Sequence, residues 1–142
     1  MFESLNPFGL RLNMTVKKFE ELESWQQARM LCKEVYQVTQ TQEFERDIRF
    51  CSQIRAAVGS IMDNIAEGFE REGKKEFVQF LYIAKGSCGE VRSQLYRAFD
   101  VGYITENQFL NLKQQTLDLG NKITNFVRYL NRTDIQGLKY KA

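Results

Sequence analysis

The stretch that most limits the fold is Cys51 to Phe77, which reads CSQIRAAVGSIMDNIAEGFEREGKKEF. Ile54, Ala57, Ile61 and Ile65 recur at i, i+3, i+7 and i+11, which is one face of an α-helix. Small residues (Ala56, Ala57, Gly59, Ser60 and Ala66) crowd the same few turns. Polar Gln53, Arg55, Ser60, Asn64 and Glu67 sit between the apolar positions. Gly68 and Gly73 bracket a short charged turn, with Gly68 expected to cap the first arm. A second apolar segment follows, so the pattern describes a helical hairpin with closely spaced arms.

The rest of the chain extends this into an all-α reading. A first helix is expected from about Lys18 to Thr39, with Leu22, Trp25, Ala28, Cys32, Val35 and Val38 as its apolar stripe. Trp25 reads as a core anchor in preference to a ligand-stacking ring. A polar link, Gln40 to Glu45, leads into the second helix, about Arg46 to Phe69. The third runs from Lys74 to about Phe99. Its opening, Phe77 to Ala84, is apolar nearly all round, which suits one side in the core and another at a subunit interface. Gly86, Ser87 and Gly89 are expected to face Ala56 to Ser60 across a tight seam, so Gly86→Leu should overpack it. Gly102 ends the third helix in the left-handed conformation. Thr105 and Gln108 form a capping box for the fourth. Phe109, Leu112, Thr116, Leu119, Ile123, Phe126 and Leu130 supply its stripe. Residues 1–18 read as an irregular lead-in and 132–142 as a frayed basic tail around a bundle at 19–131. The fold class is an antiparallel up-down-up-down four-helix bundle.

Composition narrows function more than it assigns it. The 142 residues include no histidine, which removes the commonest general base and metal ligand. Neither a Ser-His-Asp site nor the Glu-x-x-His motif of di-iron bundles is available. Glu67 with Asn64, and Glu90 with Ser87, are i, i+3 neighbours but not converging carboxylate pairs. Gly86-Ser87-Cys88-Gly89 lacks the lysine of a phosphate loop. No catalytic residue, metal site or cofactor is therefore expected. No run approaches the ~20 apolar residues of a membrane span, and the N-terminus lacks a secretory pattern. Cys32, Cys51 and Cys88 have no paired spacing and suit a reducing compartment. The expectation is a non-enzymatic cytoplasmic protein that does not engage membranes.

The formal net charge is only +2, so distribution matters more than the total. Lys74, Lys75, Lys85, Arg92 and Arg97 outnumber Glu76 and Glu90 in the third helix. Such clustering is what phosphate contacts require, although an ordinary solvated face has the same look. Arg55 and Glu90 are expected to pair across the hairpin seam, with Gln53, Asn64, Glu67 and Ser87 in a structural polar network.

Several segments together resemble a known family. They are Leu22-Glu23-Ser24-Trp25-Gln26, Ser52-Gln53-Ile54-Arg55, Ser60-Ile61, Asn64-Ile65-Ala66-Glu67-Gly68, Lys74-Lys75-Glu76-Phe77, Ile83-Ala84, and Gly86-Ser87 with Glu90. In order and spacing they resemble the bacterial four-helix-bundle proteins encoded by intervening sequences in 23S ribosomal RNA genes. The accessory variability determinants of diversity-generating retroelements are relatives of that family. The resemblance covers roughly residues 19 to 130. It implies a ring-like homopentamer without enzymatic activity. In the retroelement relatives it implies a basic surface that binds nucleic acid and a partner reverse transcriptase. Two departures stand out. Met62 occupies a position where the family commonly has proline, so the second helix is either straighter or bent by packing alone. Glu70 and Glu72 flank Arg71, thinning the positive charge of the hairpin turn.

Two functions follow as expectations. One is a homo-oligomeric adaptor that contacts RNA or DNA backbone through Arg71, Lys74, Lys75, Lys85 and Arg92, with avidity from repetition. The other is a protein–protein scaffold, for example a reverse-transcriptase partner, without direct nucleic-acid contact. Placement of the basic side chains on one continuous face separates the two.

Overall fold

In a computed structural model, residues 16–133 are described. The lead-in up to residue 15 and the tail beyond 133 lie outside the described residues. A 3-10 turn at Phe19–Glu21 precedes five helices: α1 (Glu23–Val38), α2 (Gln42–Arg46), α3 (Ile48–Glu70), α4 (Lys74–Asp100) and α5 (Glu106–Arg132). Helix α1 packs on α3 and α5, and α4 packs on the same two. The links between successive long helices are short, so neighbours run antiparallel and the four close into a bundle. No strand occurs among the described residues.

The core is built from the stripes. Leu31 and Val35 of α1, Ile54, Ile61 and Ile65 of α3, Leu81 and Leu95 of α4, and Leu119, Ile123 and Phe126 of α5 are at most 1% exposed. Each such side chain contributes about 1.5–3 kcal/mol by leaving water. Every residue of the expected α5 stripe is buried, and Val127 joins it. The α1 stripe is rotated. Leu31 and Ser24 are buried, whereas Trp25, Cys32 and Val38 are only partly covered. Spacings of three and four fit both choices; contact with α3 and α5 decides between them. Trp25 packs edge-on against Phe19, ring centroids 5.1 Å apart.

The ends of the helices explain why they stop where they do. Thr105 Oγ1 accepts from the Gln108 amide at 3.1 Å, and Gln108 Oε1 accepts from the Thr105 amide at 2.9 Å, completing the expected capping box. Gly102, at φ 81°, sits in the left-handed region. It closes α4 with paired bonds from the Tyr103 amide to Ala98 O (2.8 Å) and the Gly102 amide to Phe99 O (3.0 Å).

Three local expectations are corrected. The supposed polar link holds α2, capped by Thr41, because Phe44 in its middle is fully buried, stacks on Phe50 and packs at a tilt against Tyr103. Helix α3 consequently begins at Ile48, with Asp47 as its cap. Gly68 does not end α3, which continues to Glu70. It marks the closest approach of α3 to α4, where an added Cβ would stand 2.5 Å from Phe80 Cβ. Gly86 and Gly89, expected in the tight seam, have open space where a Cβ would go. Of the expected seam, Ser60 and Ser87 do meet, with hydroxyls 3.0 Å apart.

Candidate nucleic-acid interface

Helix α4 has two flanks, and its sequence divides the charge between them. On the α3 side, Ser87 meets Ser60, and Asn64 donates its amide to Ser60 O (2.7 Å) and Oγ (2.9 Å). Arg71, from the hairpin turn, lies 3.3 Å from Glu67 and 3.6 Å from Glu76 and covers the Phe80 ring. Arg97 sits over Phe50, 4.3 Å from the ring centre. Glu90 lines a shallow groove there with Gln53 and Ser60. The expected Arg55–Glu90 pair does not form. Arg55 turns to α1, donating Nε to Thr39 Oγ1 at 2.9 Å and lying over Tyr36, while Glu90 accepts a long bond, 3.5 Å, from Gln94 one turn on. Arg55 and Glu90 stand on facing helices, yet Thr39 offers the guanidinium a buried acceptor with no carboxylate to desolvate.

The α5 side is different. Lys74, Lys85 and Arg92 are eleven and then seven residues apart, near-whole numbers of helical turns, so they share one stripe. Tyr96 lies on the same stripe, one turn beyond Arg92. Both ends of the stripe rest on α5. Lys74 Nζ donates to Thr133 O at 2.9 Å, and Tyr96 meets Phe109 edge-on at 4.8 Å. Lys113 of α5 adds a fourth cation, 5.4 Å from the Tyr96 ring centre. Lys85 and Arg92 form no ion pair among the described residues. Among the described residues Lys74 is hydrogen-bonded to a neutral carbonyl and forms no ion pair. The acids within this span, Glu76 and Glu90, fall on the α3 side; the first carboxylate along the stripe is Asp100, past Tyr96.

The five expected phosphate contacts therefore separate. Lys74, Lys85 and Arg92 converge. Lys75 is exposed but points away from the stripe, a quarter-turn or more from Lys74. Arg71 is bound to acids at the hairpin end. Of the expected polar network, Asn64 and Ser87 join through Ser60. Gln53 and Glu67 are exposed, and Glu67 serves Arg71. Sequence reasoning missed Tyr96 and Lys113. The spacing Lys85, Arg92, Tyr96 was readable, but aromatic and basic residues were scored apart. Lys113 could only be placed once α5 was known to lie against α4.

Three titratable groups elsewhere are shifted by their surroundings. Burial pushes the Cys88 thiol up to about 12, with Arg92 nearby only partly opposing it. Burial also raises Cys32, with the Asp63 carboxylate adding to the effect. A hydrogen bond from Tyr103 Oη to Asp47 Oδ2, 3.0 Å long, raises Tyr103. The same Asp47 accepts the Phe50 amide through Oδ1, so one carboxylate ties the start of α3 to the α4–α5 turn. Among the described residues no cluster of three or more acidic, thiol or imidazole groups is placed to hold a metal ion, and no helix is long and apolar enough to cross a membrane.

The fold and this flank define a small antiparallel four-helix bundle with one cationic edge. The profile of the 23S rRNA-intervening sequence protein family matches residues 20–125, and the chain belongs to that family. Among solved structures, the chain is similar to a protein of unknown function from the S23 ribosomal protein family of Bacteroides thetaiotaomicron VPI-5482, with a TM-score of 0.68 at 17% identity. The match covers 74% of this chain and 98% of that one, and at that identity it speaks to the fold alone. Among curated proteins none matches the chain.

Proposed function

We propose that this protein is a non-enzymatic, homo-oligomeric adaptor that holds the backbone of RNA or DNA along the α5-facing flank of α4. The observation that carries the reading is the shared stripe of Lys74, Lys85 and Arg92, with Lys113 across from it and the two acids of that span, Glu76 and Glu90, on the opposite flank of α4. Phosphate contacts need unpaired cations at regular intervals and no base-reading groove. The family's description refers to an intervening sequence of 23S rRNA, which makes a structured RNA the natural first probe. The test is anisotropy of such an RNA titrated across salt, with the mass of the assembly measured by light scattering. Four cations per protomer give a log–log salt slope of about −3 to −4. An absence of binding at low salt refutes the reading.

Exposed Tyr82 and Ile83 on α4, 54% and 52% accessible, favour a second reading as a protein–protein scaffold. Retained self-assembly with no RNA binding is its expected signature.

A further inference from the structure

The α4 stripe does not end in a cation. Beyond Arg92 it runs onto Tyr96, 44% exposed, and Phe99, 36% exposed. These rings are held firmly from below. Phe99 stacks on Phe109 with centroids 4.8 Å apart and planes 10° apart, and Tyr96 meets the same Phe109 edge-on. Phe109 is itself 6% exposed, so the platform is fixed to the core. Lys113 stands over both Tyr96 and Phe109, at 5.4 and 5.7 Å. Along its length a paired duplex keeps its bases stacked inside and offers such rings no base face except at its two ends. A single strand offers both a phosphate chain and open base faces.

We infer that the ligand of this flank is single-stranded nucleic acid, with a base stacked on the Tyr96–Phe99 platform and its backbone running over Arg92, Lys85 and Lys74. This rests on the nucleic-acid reading above and adds the strandedness. From Lys74 to Tyr96 the stripe is roughly 33 Å long at 1.5 Å per residue, room for several nucleotides. Arg92 lies one helical turn from Tyr96, so a phosphate next to the stacked base falls within its reach. Stacking is indifferent to base identity, so the platform adds affinity without sequence preference.

The test uses the full chain and two labelled probes, an unstructured oligo-uridine and a blunt duplex RNA of equal length. The variants are Tyr96→Leu, which keeps an apolar side chain on Phe109, and Tyr96→Phe, which keeps the ring. Thermal melting of each confirms folding. The expected result is tighter binding of the single strand by the wild type. Tyr96→Leu should lower single-strand affinity roughly 5- to 150-fold, the equivalent of about 1–3 kcal/mol per stacked base. Its salt slope and its duplex affinity should stay unchanged, and Tyr96→Phe should bind like the wild type. Equal single-strand affinity of Tyr96→Leu and wild type, or a wild-type preference for duplex, overturns the inference and leaves backbone binding standing. Binding of neither probe at low salt overturns the nucleic-acid reading itself.

Discussion

The two flanks of α4 are made by the same helix and do opposite things. Toward α3, polar groups answer one another: Ser87 to Ser60, Asn64 to Ser60, and Arg71 to Glu67 and Glu76. Toward α5, Lys85 and Arg92 have no carboxylate partner among the described residues, and Tyr96 and Phe99 remain accessible. Matched groups fix register and add modestly to stability. Unmatched cations in a row add self-repulsion, which the proposed contact with a nucleic-acid backbone would relieve. A charged helix is thus better judged flank by flank than by its total.

Substitutions sharpen this contrast, and the largest effect belongs at Gly68. Gly68→Ala places a methyl 2.5 Å from Phe80 Cβ. It should cost on the order of 1–3 kcal/mol in denaturant unfolding by overpacking; an unchanged midpoint would mean α3 and α4 are less tightly apposed there. Next is Ser87→Ala, which removes one partner of the Ser60 hydroxyl. The expected cost is about 0.5–1.5 kcal/mol, softened because Asn64 still bonds Ser60. Gly86→Ala runs the other way, since its Cβ meets open space within a helix. It should raise stability by roughly 0.5–1 kcal/mol. Lys85→Glu combined with Arg92→Glu should move the unfolding free energy least, within about 0.5 kcal/mol, because neither side chain has an ion-pair partner among the described residues to lose.

The glycine results show where sequence reading succeeds and where it stops. Helix periodicity, the capping box at Thr105 and the left-handed Gly102 are local properties, and local pattern identified each of them. The full α5 stripe was legible because one face of that helix meets the core along its whole length. The seam was legible at Ser60 and Ser87 but not at its glycines. Gly68, Gly86 and Gly89 look alike in sequence, and only the packing of Phe80 over α3 distinguishes the first. Phe44 was lost within a polar stretch, although one large apolar residue between Thr41 and Asp47 suffices to anchor a helical turn. At the candidate site, the basic excess of α4 was readable. Its division into paired and unpaired flanks depends on where Glu76, Glu90 and α5 lie in space.

The direct test of the account compares the salt dependence of RNA binding between two double charge reversals. One is Lys85→Glu with Arg92→Glu, on the α5 flank; the other is Arg71→Glu with Lys75→Glu, off that stripe. With a single-stranded probe, the first pair should shallow the log–log slope by about 1.4, two phosphate contacts at about 0.7 each. The second pair should leave the slope near that of the wild type. Equal shallowing by both pairs would show that general surface charge, and not the α5 flank, holds the nucleic acid.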